Sequence, residues 1–167
     1  PIESLADAVK DLRLLFAKYH FHEAIIFGHA KEGNLHFVIA HAFDSEQDIK
    51  AFGDFMQDLA NVIIDKYQGS LKAEHGTGRN IAPFVSHEWG NEAYALMKRI
   101  KQLFDPQGIM NPGVIISDDP ACHVKNVKPF PIVHDIIDSC IECGYCESHC
   151  PTHQYTLSPR QRIILDR

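Results

Sequence analysis

Residues 23–42 read EAIIFGHAKEGNLHFVIAHA, and the way this stretch pairs with itself decides the fold. Residues 23–29 and 35–42 are rich in Ile, Val, Phe and Ala and read as two strands. Between them Ala30-Lys31-Glu32-Gly33-Asn34 is a turn signal centred on glycine, so the strands form an antiparallel hairpin. If Glu32-Gly33 is a two-residue loop, His29 lies directly across from His36, and cross-strand partners project from one face. Two imidazoles on one face, flanked by apolar residues that exclude water, are placed to share one divalent ion.

On the N-terminal side, residues 2–19 carry Leu5, Val9, Leu12 and Phe16 at three- and four-residue steps and read as an amphipathic helix. On the other side, residues 45–67 form a second long helical pattern with Phe52, Phe55, Met56, Leu59, Ile63 and Tyr67 on one face. Ser45 is its expected N-cap with Asp48 as a capping-box partner, and Gly69 its expected stop. Residues 70–74 read as a short third strand leading into the loop Gly76-Thr77-Gly78, and residues 88–104 as a third helix ended by Asp105-Pro106. This order predicts an α+β fold, an antiparallel sheet with helices packed on one face, over residues 1–117. Composition then changes: Asp118-Asp119-Pro120 and the prolines Pro129 and Pro131 mark an expected linker over 118–131. A cysteine-bearing unit over 132–167 follows.

The net charge of −6 and the absence of any basic run exclude a phosphate-tracking surface, so no nucleic-acid partner is expected. No apolar stretch approaches the ~20 residues of a membrane span, and no secretory signal opens the chain. The expected location is the cytoplasm, including a peripheral position on the inner face of the membrane. The abrupt start at Pro1 and end at Arg167 suggest an excised piece.

Of the 5 cysteines none precedes Cys122, and the other four fall within residues 140–150. Cys140-x2-Cys143-x2-Cys146-x3-Cys150-Pro151 matches the bacterial ferredoxin run, in which soft thiolates wrap a cubane 4Fe-4S cluster. A zinc knuckle is the plainer alternative. In two-cluster ferredoxins the last cysteine of the run serves the other cluster. Cys140, Cys143 and Cys146 would then hold one cube and Cys150 a second. No second run follows, so the module is expected to be incomplete. Cys122 reads as a linker cysteine.

Ala73-Glu74-His75-Gly76-Thr77-Gly78-Arg79 sets a carboxylate beside an imidazole. Two His and one Glu with an open position form a catalytic rather than structural metal set, here His29, His36 and Glu74. The plainer alternative is that the histidines are half-buried strand residues with backbone partners. Residues 103–113, LFDPQGIMNPG, are equally a helix stop with two turns.

These motifs carry a resemblance over nearly all of residues 1–155. GHAKEGNLHFVI, SLKAEHGTGR and FDPQGIMNPG, in that order, resemble three signatures of the C-terminal cap domain of FAD-linked oxidases of the vanillyl-alcohol oxidase type. The cysteine run resembles a ferredoxin-like module fused behind that cap. FGHAKEGNLHFVIA and GTGRNIAPFVSHEWG are similar to the iron–sulfur D-lactate dehydrogenase branch in particular.

The resemblance implies a flavin-dependent 2-hydroxyacid dehydrogenase, D-lactate first and glycolate or D-2-hydroxyglutarate next. His29, His36 and Glu74 would bind a divalent metal such as zinc or iron, and His75 would be the base. Asn111 would lie against the flavin with Arg79 near the same pocket, the FAD itself being held mostly by a domain absent from this sequence. Electrons would pass singly through iron–sulfur clusters to a quinone-linked or cytochrome acceptor, and the chain alone is not expected to turn over. One departure concerns Val38, a place often asparagine in 2-hydroxyglutarate-type relatives, which speaks against a second substrate carboxylate. Glu32 also stands where Asp is usual. A non-catalytic electron-transfer or interaction module is the competing class, and the order of three signatures argues against it.

Overall fold

The computed structural model describes residues 1–127 and 132–166, in two compact units, Pro1–Val127 and Lys128–Arg167. In the first unit, helix α1 (Leu5–Lys18) leads into the hairpin β1 (Ile25–His29) and β2 (Asn34–Val38), then helix α2 (Glu46–Asn61). A four-residue helix α3 (Gly78–Ile81) and the long α4 (Val85–Phe104) follow. The fold is α+β, with a two-stranded antiparallel sheet.

The capping box is present in full: Ser45 Oγ accepts from Asp48 N–H at 3.1 Å, and Ser45 N–H donates to the Asp48 carboxylate at 3.0 Å. This fixes where α2 starts, and so which face it turns inward. That face buries Phe55, Met56, Leu59 and Ala60 against Leu12, Leu15 and Phe16 of α1. Phe55 is fully buried and meets Phe16, Tyr19, Phe21 and Phe37 at ring-centroid distances of 5.0–6.0 Å. Ile26, Leu35 and Phe37 bring one face of the sheet onto this cluster. Alternation then sends Ile25, Phe27 and His29 of β1, and His36 and Val38 of β2, to the opposite face. There Ile25, Phe27 and Val38 are each more than half exposed.

Several sequence expectations need correcting. Residues 70–74 form no strand. The Leu71 N–H is taken by the Glu88 carboxylate at 3.0 Å and the Lys72 N–H by Ser70 Oγ at 3.4 Å, which removes two of the donors a ladder would use. The second helix stops with left-handed backbone at Gln68 (φ 51°) rather than at Gly69, after a wide final turn over Val62–Lys66. The third helix begins at Val85, before the expected 88, and is kinked at Gly90, whose φ of 79° lies outside helical space. The Gly76-Thr77-Gly78 loop runs directly into α3.

Residues 118–127 belong to the first unit, where Cys122 is buried and its thiol lies 3.5 Å from the Arg79 carbonyl oxygen. Burying Cys122 fastens this stretch beside α3. Pro129 and Pro131 lie outside the described residues.

Among its described residues the second unit contains two short helices, α5 (Asp135–Asp138) and α6 (Pro159–Asp166). His134 Nδ1 caps α5 by accepting the Ile136 N–H at 3.2 Å, and an Arg160–Glu147 ion pair at 2.6 Å ties the start of α6 to the cysteine run. Among the described residues no helix is long and apolar enough to cross a membrane.

Candidate metal centre

The hairpin loop takes four residues, not two. A two-residue type I′ loop needs positive φ at both central positions. Here only Gly33 supplies it (φ 66°), while Ala30–Glu32 form a single tight turn. The register is therefore His29↔Asn34 and Phe27↔His36, and the expected direct pairing of His29 with His36 does not occur. The shift is two residues, however, and side-chain faces repeat every two, so both histidines still project from one face as diagonal neighbours. Asn34 secures the loop by accepting the His29 N–H on its side-chain oxygen at 2.9 Å.

Glu74 enters from the ladder-free segment before α3. Its Oε1 lies 3.1 Å from His36 Nε2, 3.4 Å from His75 Nε2 and 3.6 Å from His29 Nε2. The ligand atoms of His29, His36 and Glu74 all fall within 4.8 Å of one another, the one such group of three among the described residues. Ligands about 2.1 Å from a tetrahedral ion stand roughly 3.4 Å apart, a spacing that the 3.1 and 3.6 Å separations bracket.

The donor set passes a second test. His36 Nε2 is buried and has no hydrogen-bond partner, although the Glu74 oxygen is only 3.1 Å away. The two atoms are close but not aligned as donor and acceptor. Two lone pairs directed at a common third point would produce that arrangement; an unbonded ring nitrogen alone does not define it, since His123, outside this group, has both of its own buried and unbonded. His36 is the half-buried member, stacked on the Phe27 ring at 5.4 Å, and His29 and His75 are mostly exposed. The centre is thus closed on the sheet side and open on the other.

Arg79 and Asn111, expected at the flavin, come from neighbouring segments: a Cβ on Gly113 would stand 3.9 Å from Arg79 Nε. Asn111 is exposed in left-handed backbone (φ 44°). The turn before it is built on Asp105, which the sequence marked only as a helix stop. Asp105 is buried, accepts from the Ile109 and Met110 N–H groups at 3.0 and 2.9 Å, and pairs with Lys101. The Lys101 ammonium, with the two N–H groups, holds the Asp105 carboxyl below its ordinary range despite burial.

In the second unit, none of the four clustered cysteines is in a disulfide; Cys143 and Cys146 are exposed, and Cys140 and Cys150 are half-buried. Gly144 takes positive φ between Cys143 and Cys146, a backbone conformation that favours glycine. Thr152, through its hydroxyl 3.1 Å from Cys150 Sγ and then its N–H, draws that thiol's pKa below the ordinary value. The spacing of the four cysteines fits an iron–sulfur cluster.

An α+β unit carrying the His/His/Glu group is thus followed in sequence by a ferredoxin-type cysteine run. Residues 1–115 match the family model of FAD linked oxidases, C-terminal domain, and the chain belongs to that family. Residues 134–156 match the 4Fe-4S binding domain. The chain is 35% identical over 101 residues to D-2-hydroxyglutarate dehydrogenase of Stutzerimonas stutzeri, covering 57% of this chain and 21% of that protein. It is 29% identical over 119 residues to glycolate oxidase subunit GlcD of Bacillus subtilis, covering 71% and 25%. Against a putative mitochondrial D-lactate dehydrogenase of Schizosaccharomyces pombe the identity is 32% over 122 residues, covering 67% and 22%. The chain thus spans about a fifth to a quarter of the length of these curated relatives. No solved structure matches.

Proposed function

We propose that this chain is the cap and cluster-bearing portion of an FAD-dependent dehydrogenase that oxidises a 2-hydroxy acid, D-lactate foremost. The observation that carries the reading is the convergence of His29, His36 and His75 on one carboxylate oxygen of Glu74, with His36 Nε2 buried and unbonded. His29, His36 and Glu74 would hold a divalent ion of the zinc or iron class. Such an ion acidifies a bound hydroxyl, and FAD supplies a two-electron acceptor.

His75 stands on the open side, 3.4 Å from Glu74 Oε1, and takes the substrate hydroxyl proton. Loss of that proton and of the Cα hydride leaves a 2-oxo acid. Beside the centre, Ile25, Phe27 and Val38 offer the substrate side chain an apolar wall with no cation among them. This supports D-lactate or glycolate over a second carboxylate, although the relative from Stutzerimonas stutzeri is named for D-2-hydroxyglutarate. Asn111 and Arg79 would meet the flavin. The cysteine run would take its electrons one at a time, for a quinone-linked or cytochrome acceptor.

Elemental analysis of the purified chain and of a His29→Ala/His36→Ala pair tests the centre. One divalent equivalent fewer in the pair supports it, and equal metal in both overturns it. Steady-state oxidation of D-lactate, glycolate and D-2-hydroxyglutarate by the full protein tests the substrate.

A further inference from the structure

Glu74 and His75 sit on a segment that no sheet or helix holds. Among the described residues, 70–76 make no backbone–backbone hydrogen bond. A ligand carried by such a segment would be spread over many positions, and an ion would then have to order it on binding. Something must therefore locate the segment: on its upstream side Leu71 packs against the core, and the hydrogen bonds to Ser70 Oγ and the Leu71 N–H both lead to Glu88.

Glu88, in the first turn of α4, places one carboxylate oxygen 2.7 Å from the Ser70 hydroxyl and the other 3.0 Å from the Leu71 N–H. Both oxygens are thus spent on consecutive residues of the segment. The neighbouring Trp89 ring lies 5.6 Å from the Lys72 ammonium, extending the same attachment by one residue. The anchor itself is firm, because Phe84 and Val85 are buried just before it. Leu71 is three residues from Glu74, a tether of at most about 10 Å when extended. Downstream, the segment is held at Gly78, whose carbonyl accepts the Ile115 N–H at 3.4 Å.

We infer that Glu88 is a positioning residue for the metal centre: it pins Ser70 and Leu71 so that Glu74 is delivered to His29 and His36 before any ion arrives. The inference rests on the metal reading above. It assigns Glu88 no contact with ion, substrate or flavin.

Manganese(II) is the probe, since the thiolates of the second unit prefer softer ions. Its dissociation constant is read from the free-ion electron paramagnetic resonance signal at 25 °C for the 167-residue chain, with a thermal melt of each variant beside it. Glu88→Ala is expected to weaken binding about tenfold, the low end for residues that act behind the ligands. Glu88→Gln, which keeps an oxygen for the Leu71 N–H, should recover part of that loss, and Ser70→Ala should show a smaller one. A residue that only stabilises the fold would lower the melting temperature and leave the dissociation constant unchanged. If Glu88→Ala does not fold, Glu88→Gln and Ser70→Ala carry the comparison. Manganese binding that is lost in His29→Ala/His36→Ala but is the same in every folded Glu88 and Ser70 variant as in wild type overturns the positioning role alone. Wild type that takes no manganese at the histidines overturns the metal reading and this inference with it.

Discussion

Glu74 Oε1 stands 3.1 Å from His36 Nε2 without being hydrogen-bonded to it. A carboxylate and an imidazole this close normally share a proton along the line between them. Here the nitrogen is buried, so water cannot serve in place of the missing bond. A cation accepting both lone pairs removes the conflict.

Glu74→Gln is accordingly expected to abolish tight binding of a divalent ion. The loss should exceed the roughly 10–100-fold that follows removal of a group behind the ligands. The fold should be nearly untouched, because the Glu74 side chain is 45% exposed and surface changes stay within about 0.5 kcal/mol. Isothermal titration with manganese(II), beside a thermal melt, checks both parts; unchanged affinity would remove Glu74 from the ligand set.

Gly28 is fixed by its neighbours. A Cβ built there would stand 2.2 Å from the Asn34 carbonyl oxygen, across the hairpin. Gly28→Ala must therefore part the strands beside both His29 and the turn that orients His36. The expected cost is about 1–3 kcal/mol, as for other overpacked sites, together with weakened ion binding. Urea unfolding with a metal titration of the folded protein separates the two effects. A variant as stable as wild type would show that the hairpin yields freely here.

The sequence announced the hairpin, both flanking helices and the facing of the two histidines, but not the register. Periodicity of two fixes which face a side chain takes, so an error of two residues in loop length left His29 and His36 together. The false strand at 70–74 shows the reverse case. Leu71 and Ala73 have strand-like spacing, but a carboxylate 17 residues on takes the Leu71 N–H, and no local pattern reports a contact made at that range. Cys122 looked like part of a linker because Asp118-Asp119-Pro120 surrounds it with turn formers. Its burial comes from packing beside α3, which composition does not encode. Asn34 lay inside a motif already noted for its histidines and was legible as a turn residue. Glu88 and Asp105 lay inside quoted motifs, Asp105 as part of a helix stop, but nothing local announced the contacts they make.

The two kinds of cysteine should part under reconstitution. Anaerobic treatment with ferrous iron and sulfide is expected to give thiolate-to-iron absorption that Cys143→Ser diminishes and Cys122→Ser leaves unchanged. Cys143 is exposed in the run, whereas Cys122 is buried in the other unit. Equal loss in both variants would deny the run a special role.

Asp105 gives the cap an acid-range dependence whose sign can be worked out. Lys101 and the Ile109 and Met110 N–H groups favour its ionised form and lower the folded pKa. The unfolded chain, with an ordinary aspartate pKa of about 3.9, then binds the proton more readily, so acidification favours unfolding. The contribution is fully present above that value and is lost as the pH falls through the lower folded value. Asp105→Asn keeps one acceptor oxygen but loses the charge. It should destabilise the chain at neutral pH and narrow the gap from wild type below about pH 4. Because Asp105 also shapes the turn before Asn111, the same change should raise amide exchange at residues 109–111. Urea midpoints across pH 3–7 with hydrogen exchange check both. A difference between wild type and Asp105→Asn that stays constant over that range would show that the charge on Asp105, as distinct from its shape, contributes nothing to the turn.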